Sequence, residues 1–495
     1  MALFCLVAAL YGRTASFHFV DWDDRHHVYA NPAVVDPAAA HPLDRWLGRN
    51  IGYPLPLTLA TWRLDRALYG PETLDAVRPA QGQGYHRTQL LWIFGFALAL
   101  YGLGSVSIAP GWPAALFAGL VVAHPVAAEP LAWITGRKDL FVGIFAALTL
   151  LSLWRARVSD SARWWWLATG FAVLAMASKP TGVCLAGFAV WAVTVGRPRG
   201  HRPASAAWVL VAALCGLAAV IIVVGSAWHL QLGGLETATP ADTPGARLLR
   251  SLHATSWHLR MLAAPAWLRA KYVIETPTTF GVTELATAAV GAMTVGISWR
   301  WRHHVAGWAA AFALFAWLPV SNLVPLRRHV ADSYMLLPWV ALCWGVLGSI
   351  ASRPAPPARS GRPQALPRPV LLVATGALLV LSLRAAPQIE TWRDSVQLWK
   401  QTLRYEKDSP QVCRMAGHGL FFEGERHKAL AMWEACAARF GPALFANNLA
   451  IAALQVGERD KARRWFQWIL ARRPNDQRAQ RHLRALRSGR DDAGR

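Results

Sequence analysis

An all-α protein, with a polytopic helical membrane domain followed by a C-terminal helical solenoid, is the fold class this sequence predicts. Three observations lead there. Hydrophobic residues make up 54% of the chain and charged residues only 16%, with 26 Trp among 495 positions. The apolar residues come in long runs instead of amphipathic stripes, as in membrane proteins. After the last run, a polar segment repeats itself at a constant offset.

The runs come first. Blocks of roughly 16 to 23 residues, long enough to cross about 30 Å of hydrocarbon as helices, recur at 2–19, 88–108, 113–128, 139–154, 164–178, 181–196, 206–228, 282–299, 305–323, 334–351 and 369–386. About eleven spans are expected. Arg155, Arg157 and Arg163, then Arg197, Arg199 and Arg202, then Arg300 and Arg302, then Arg353, Arg359, Arg362 and Arg368 fall at alternate connections, as cytoplasmic loops should. Parity then places the N-terminus inside and residues 20–87, 129–138, 229–281, 324–333 and everything after 387 outside. The count closes only if residues 251–270 lie on the membrane surface or re-enter, which Trp257, Trp267 and the arginines permit.

The formal charge of +23 belongs largely to the inside loops and the tail, so anionic lipid headgroups are the expected partner. Nucleic acid is excluded as a partner, because no recognised nucleic-acid motif accompanies the charge. Residues 2–19 lack a small-residue cleavage site before Asp21 and read as a retained anchor, with room for a few missing residues upstream. The six cysteines show no metal spacing. Cys5, Cys184, Cys215 and Cys343 fall inside expected spans as small packing residues, whereas Cys413 and Cys436 lie in the polar tail.

Expected domain boundaries are 1–387 for the membrane domain, 388–489 for the tail and 490–495 for a polar end. Residues 424–440 (GERHKALAMWEACAARF) repeat at 457–473 (GERDKARRWFQWILARR), matching Gly424 to Gly457, Glu425 to Glu458, Ala429 to Ala462 and Trp433 to Phe466. This resembles tetratricopeptide repeats. Such helix pairs bury their apolar faces only by stacking, with flanking helices expected at 391–406 and 476–487. A groove for an extended polypeptide and a packing or dimerisation module are both open readings. If two antiparallel helices form each repeat, Cys413 and Cys436 can come close enough for a disulfide.

Two polar constellations interrupt the apolar pattern. Trp22-Asp23-Asp24 stands at the mouth of the first run, within VDWDDRHHVYANPAVVD at 20–36. Carboxylates so near a bilayer are costly; they serve either as a base toward a hydroxyl acceptor or as caps in a loop. The second is HPVAAEPLAWITGRKDL at 124–140, which gathers His124, Glu129, Arg137, Lys138 and Asp139 in and around one short outer loop. Arg and Lys suit a phosphate, as fork and point charge respectively. Headgroup anchoring is the alternative.

Taken in order, WDDRHHVYANP, HPVAAEPLAWITGRKDL, SKPTGVCL at 178–185, SNLVPLRRHVADSYMLLP at 321–338 and the repeat tail resemble the transmembrane and tetratricopeptide-repeat-containing O-mannosyltransferase family and its bacterial relatives, within the C-type (GT-C) glycosyltransferase superfamily. The resemblance covers most of the chain, and its HPxxxExxxWxxGRKD block is the most specific part. It implies transfer of a sugar, mannose by the family's name, from a polyprenyl-phosphate carrier to a protein or glycan hydroxyl on the non-cytoplasmic face. With the Ala- and Arg-rich composition, that face is the periplasmic side of a bacterial inner membrane. It also implies an acidic residue of the first outer loop as catalytic base, here Asp23 or Asp24.

On this reading Arg137, Lys138 and Lys179, with Arg327 and Arg328, hold the donor phosphate, while His124, Glu129 and Asp139 orient donor or acceptor. No cofactor is expected. A divalent cation on Asp23, Asp24 and His26 stays open, although adjacent residues seldom converge on one metal without further ligands. Lys179 reads equally as a snorkelling lysine, and His124 with Glu129 as a structural pair. The chain departs from the family at Ser333, where an arginine usually precedes the tyrosine matching Tyr334, and at YHRTQLLW, which lacks the usual asparagine. Arg327, Arg328 or His329 are the candidates to replace that arginine. A catalytically silent scaffold that anchors the repeats is the alternative function. A transporter or flippase is disfavoured by the lack of mid-span charges and of an internal duplication.

Overall fold

Residues 1–70, 82–157, 159, 161–197, 205–231, 243–275, 277–324, 326–351 and 366–487 are described by a computed structural model. Arg199, Arg202, Arg353, Arg359, Arg362 and the polar end at 490–495 lie outside the described residues. Every regular element among the described residues is helical, with no strand.

Six helices are long and apolar enough to cross a membrane: Gln83–Ser107, Arg137–Ala156, Ser205–Trp228, Val282–Arg300, Asp332–Ala351 and Arg368–Glu390. A seventh candidate is bent by 65° between Trp112–Val122 and Pro125–Ala132. Shorter apolar helices occupy Ala2–Ser16, Pro180–Thr194 and Val305–Val320. Their outer faces are strongly apolar: Val282, Leu372, Val373 and Leu383 are largely exposed. Water would penalise such surface, while hydrocarbon accepts it.

Several expected boundaries move, for local reasons. The run at 2–19 stops being helical at Ser16. The run at 113–128 breaks at Val122, because Pro125 lacks an N–H and its ring bars a continuous helix. His124 is extended there, and its Nδ1 accepts from the Val126 amide to start the next turn. At the other side of the motif the helix begins at Arg137. Arg137, Lys138 and Asp139 therefore form its first turn and not a loop. Residues 251–263 of the 251–270 segment belong to the helix Pro244–Ala263, which is not among those apolar enough to cross, and the remainder is not helical.

The connections sort themselves by end. Thr135 bonds Asp24, Arg328 bonds Glu129 and the Ala270 carbonyl, Arg269 bonds Glu406, and the His18 amide bonds the Arg393 carbonyl. These segments all meet at the end where Arg137–Ala156 starts. That helix is 20 residues long, about 30 Å at 1.5 Å per residue. Beyond its far end Arg157 reaches the His303 carbonyl, and Trp308 reaches that of Gly196.

The tail begins inside the core of the apolar helices. Arg368–Glu390 runs through the expected 387/388 boundary, and Trp392, Leu398, Trp399 and Ala416 belong to the same buried cluster as the membrane helices. A second cluster gathers Cys413, Trp433, Cys436, Phe466 and Leu483. It joins Pro410–Phe422 with Arg426–Phe440, then Ala446–Gln455 with Arg459–Arg472, and ends on Gln477–Arg487. The repeat shows directly: Gly424 and Gly457 turn at φ of 84° and 85°, a conformation glycine adopts without steric cost, and Trp433 and Phe466 are both buried. Cys413 and Cys436 form a disulfide, with Cα atoms 6.0 Å apart.

Candidate functional site

Asp23 and Asp24 enter a short π-helical turn, Arg25–Tyr29, a distortion that often accompanies functional positions. The two carboxylates have different fates. Asp24 is buried, and its Oδ1 accepts from the Thr135 amide at 3.1 Å and hydroxyl at 2.5 Å, while Oδ2 accepts from the Val20 amide at 2.9 Å. Burial pushes its carboxyl up to about 7 in spite of those donors. Asp24 thus ties two loops together, and both of its oxygens already accept hydrogen bonds.

Asp23 is half-buried, and its carboxylate makes no hydrogen bond or ion pair with any described residue. Burial pushes it up, but His27, Lys138, Arg328 and His26 outweigh burial and hold it below the usual carboxylate range. His27 is kept neutral, since burial and then Lys138 push its imidazole down to about 3. With His27 neutral, the cationic neighbours that favour the charged form of Asp23 are Lys138 and Arg328.

Lys138 is buried, donates to the Tyr53 hydroxyl at 3.0 Å and lies 3.4 Å from His27 Nδ1. Neither partner neutralises it. Its ammonium also stands 5.6 Å from the Trp133 ring. Lys179 is left extended where Pro180 stops the Ala162–Ser178 helix, because the residue before proline avoids helical angles. It pairs with Asp139 at 2.6 Å and sits 5.9 Å from the Tyr334 ring.

Arg328 grips both oxygens of buried Glu129, at 2.6 and 3.1 Å, and bonds the Ala270 carbonyl at 2.7 Å. Its Nε is a buried donor with no partner among the described residues. The Ser333 hydroxyl donates to the same Glu129 at 3.1 Å. Arg328 thereby brings a guanidinium to the place where Ser333 supplies none. Glu129 orients Arg328, and Asp139 orients Lys179. Arg327 is exposed and makes no ion pair with a described residue.

Arg137, expected to hold the donor phosphate, is committed elsewhere. It is fully buried and bonds Asp65, Gln89 Oε1 at 2.8 Å and the Tyr85 carbonyl at 2.9 Å. A guanidinium with these partners is a structural post. The Gln89 amide also holds the carbonyls of Leu131 and Trp133. His124 shapes the bend: its Nε2 faces the Leu262 carbonyl at 3.3 Å, and its ring centroid lies 4.1 Å from that of Trp339. Among the described residues, no three His, Cys, Asp or Glu are grouped to hold a metal ion.

Sequence reasoning missed Tyr53 and His27 as neighbours of Lys138. The only signal was the lone YPLP turn after Gly52 and the His pair after Asp24. What the fold and site define is a helical protein with lipid-compatible faces and, at one end, an unpaired carboxylate beside amine and guanidinium groups. No family model matches the chain, and neither a curated protein nor a solved structure is similar to it.

Proposed function

We propose that this protein is a membrane glycosyltransferase of the GT-C type that moves a sugar, mannose by family resemblance, from a polyprenyl-phosphate carrier to a hydroxyl of a protein or cell-surface glycan. The observation that carries this reading is Asp23: ionised, half-buried, free of hydrogen bonds, and flanked by Lys138 and Arg328. A structural carboxylate in such surroundings would have closed an ion pair, as Glu129 and Asp139 do. A base must keep its lone pairs open to the proton it takes.

In the proposed step the acceptor oxygen attacks the anomeric carbon and its proton passes to Asp23. The bond from that carbon to the phosphate oxygen breaks, with inversion, and polyprenyl phosphate leaves. Lys138, Lys179 and Arg328 are fixed in place to receive the growing negative charge, which is worth more in a water-poor site than in bulk water. The unpartnered Nε of Arg328 is the donor readiest for a phosphate oxygen. Neutral His27 and Tyr53 set the position of Lys138.

The rest of the reading follows the resemblance. Eleven spans would carry the site at the periplasmic face of a bacterial inner membrane, and the paired helices after Pro410 would be tetratricopeptide repeats beside it. The convergence of all the expected outer segments at one end supports this arrangement. A silent scaffold is favoured only by Lys179 and Arg328 already having carboxylate partners.

Purified protein in lipid nanodiscs, given a panel of polyprenyl-phosphate sugars, should release polyprenyl phosphate with at least one of them. Asp23→Asn should bind that donor normally and turn over roughly 10²-fold more slowly or worse, as for a lost general base. Turnover untouched by Asp23→Asn would refute the base. Donor binding without release across the panel would favour the scaffold.

A further inference from the structure

Both backbone polar groups of Asp21 are held by one helix of the tail. The Asp21 amide donates to Ser395 Oγ at 2.9 Å, and the Trp399 indole donates to the Asp21 carbonyl at 3.2 Å. Trp22 meets the Trp399 ring edge-on, with centroids 5.3 Å apart. Trp399 is fully buried in this contact, so the grip is a packed joint and not a surface touch.

A second helix locks the first. Glu423, at the end of Pro410–Phe422, accepts from the Ser395 amide through Oε1 at 2.9 Å and faces His18 Nδ1 through Oε2 at 3.4 Å. Gly419 makes this approach feasible: a Cβ there would stand 2.7 Å from the Ser395 carbonyl oxygen and 2.8 Å from the Trp399 ring. Three residues beyond Asp21, on the other side of Asp23, Asp24 is tied to Thr135. Asp23 therefore sits at the crest of a turn whose two flanks belong to different parts of the chain, the tail on one side and the 133–136 break on the other.

We propose that Ser395, Trp399 and Glu423 are positioning residues for Asp23, so that the tail sets the base and its displacement switches the site off. This rests on Asp23 being the base. The physical reason is that Asp23 itself has no hydrogen bond to fix its carboxylate, so its position is inherited from the backbone of its neighbours. Misplacing a reacting group by about 1 Å costs on the order of 10²-fold in rate. A tail that only recruits acceptors would have no need to grip both polar groups of a residue two positions from the base.

The test uses the full chain in nanodiscs, with three readouts: hydrogen exchange of the peptide covering residues 18–30, binding of the polyprenyl-phosphate sugar found active, and turnover. The double variant Ser395→Ala with Trp399→Phe keeps the apolar packing and removes both grips. It should exchange the Asp21 amide at least tenfold faster, with turnover down by about tenfold or more and donor affinity unchanged. Ser395→Thr, which keeps the hydroxyl, should behave as wild type. Gly419→Ala offers an independent displacement with the same pattern expected. Unchanged exchange, or turnover that falls only in step with donor binding and thermal stability, would overturn the positioning role. The two ideas fail separately. Should Asp23→Asn retain turnover while the double variant still loosens the loop, the base reading falls; a loop and turnover indifferent to the double variant, with Asp23→Asn inactive, remove the positioning role alone.

Discussion

Thr135 gives both its amide and its hydroxyl to a single oxygen of Asp24. One carboxylate oxygen thus joins the loop after the first apolar helix to the break before Arg137, more than a hundred residues later. The bond parts two adjacent aspartates, since Asp23 makes no such bond with a described residue.

Removing either partner should destabilise the protein without direct effect on chemistry. Asp24→Ala and Thr135→Val should each lower stability by about 1–3 kcal/mol, the cost of stranding buried hydrogen-bonding groups. Thermal unfolding in detergent measures this, and a Asp24→Ala protein as stable as wild type would contradict it.

Arg137 and Lys138 should separate cleanly. Arg137→Gln leaves Asp65 as a buried charge without its partner, a loss of about 3–5 kcal/mol, and should reduce folded yield. Lys138→Gln should fold and yet bind polyprenyl phosphate several-fold more weakly, because Tyr53 and His27 are neutral neighbours that need no counter-charge. Equal effects of the two substitutions on yield and on lipid-phosphate binding would argue against this division.

The joint between tail and loop carries a pH dependence. The Glu423 hydrogen bond raises the His18 imidazole above its ordinary value of 6.5, against burial, with Asp394 assisting and Arg393 opposing. A histidine raised on folding stabilises fully below 6.5 and loses that contribution as pH climbs through its folded value. Exchange protection at residues 18–24 should therefore weaken between pH 6 and pH 8, and Glu423→Gln should flatten that change. A third of the His18 side chain is exposed, so solvent screening keeps the effect small.

Reducing the Cys413–Cys436 disulfide should act on the repeats and leave the Asp21 grip in place. The bond spans a sequence separation of 23, for which the chain-entropy model gives about 3 kcal/mol. Peptide mapping without reductant should recover the crosslinked pair. Adding reductant should lower the unfolding temperature of the 410–487 segment while the peptide covering residues 18–30 keeps its protection.

The sequence alone determined what depends on local pattern. Runs of apolar residues specified helices, of which six among the described residues are long and apolar enough to cross a membrane, and the offset from 424 to 457 marked the paired helices, because burial of an apolar face repeats with the chain. Of the connections with basic residues, Arg157 and Gly196 meet the 303–308 segment at the end away from Asp24. The motif residues were legible as a set: Asp23, Lys138, Lys179, Arg328, Glu129 and Asp139 do meet around one place.

Only the tertiary structure decided which members of that set are free to act. Neighbours on a helix point about 100° apart, so Arg137 faces Asp65 and Gln89 while Lys138 faces Tyr53 and His27. The same holds for Asp23 and Asp24, identical in type and adjacent in sequence, yet parted by whether Thr135 stands opposite. A side chain's role follows from its partners, and those partners lie tens to hundreds of residues away. Ser395 and Trp399 closing on Asp21 is the extreme case, a contact across more than 370 positions that no local pattern encodes.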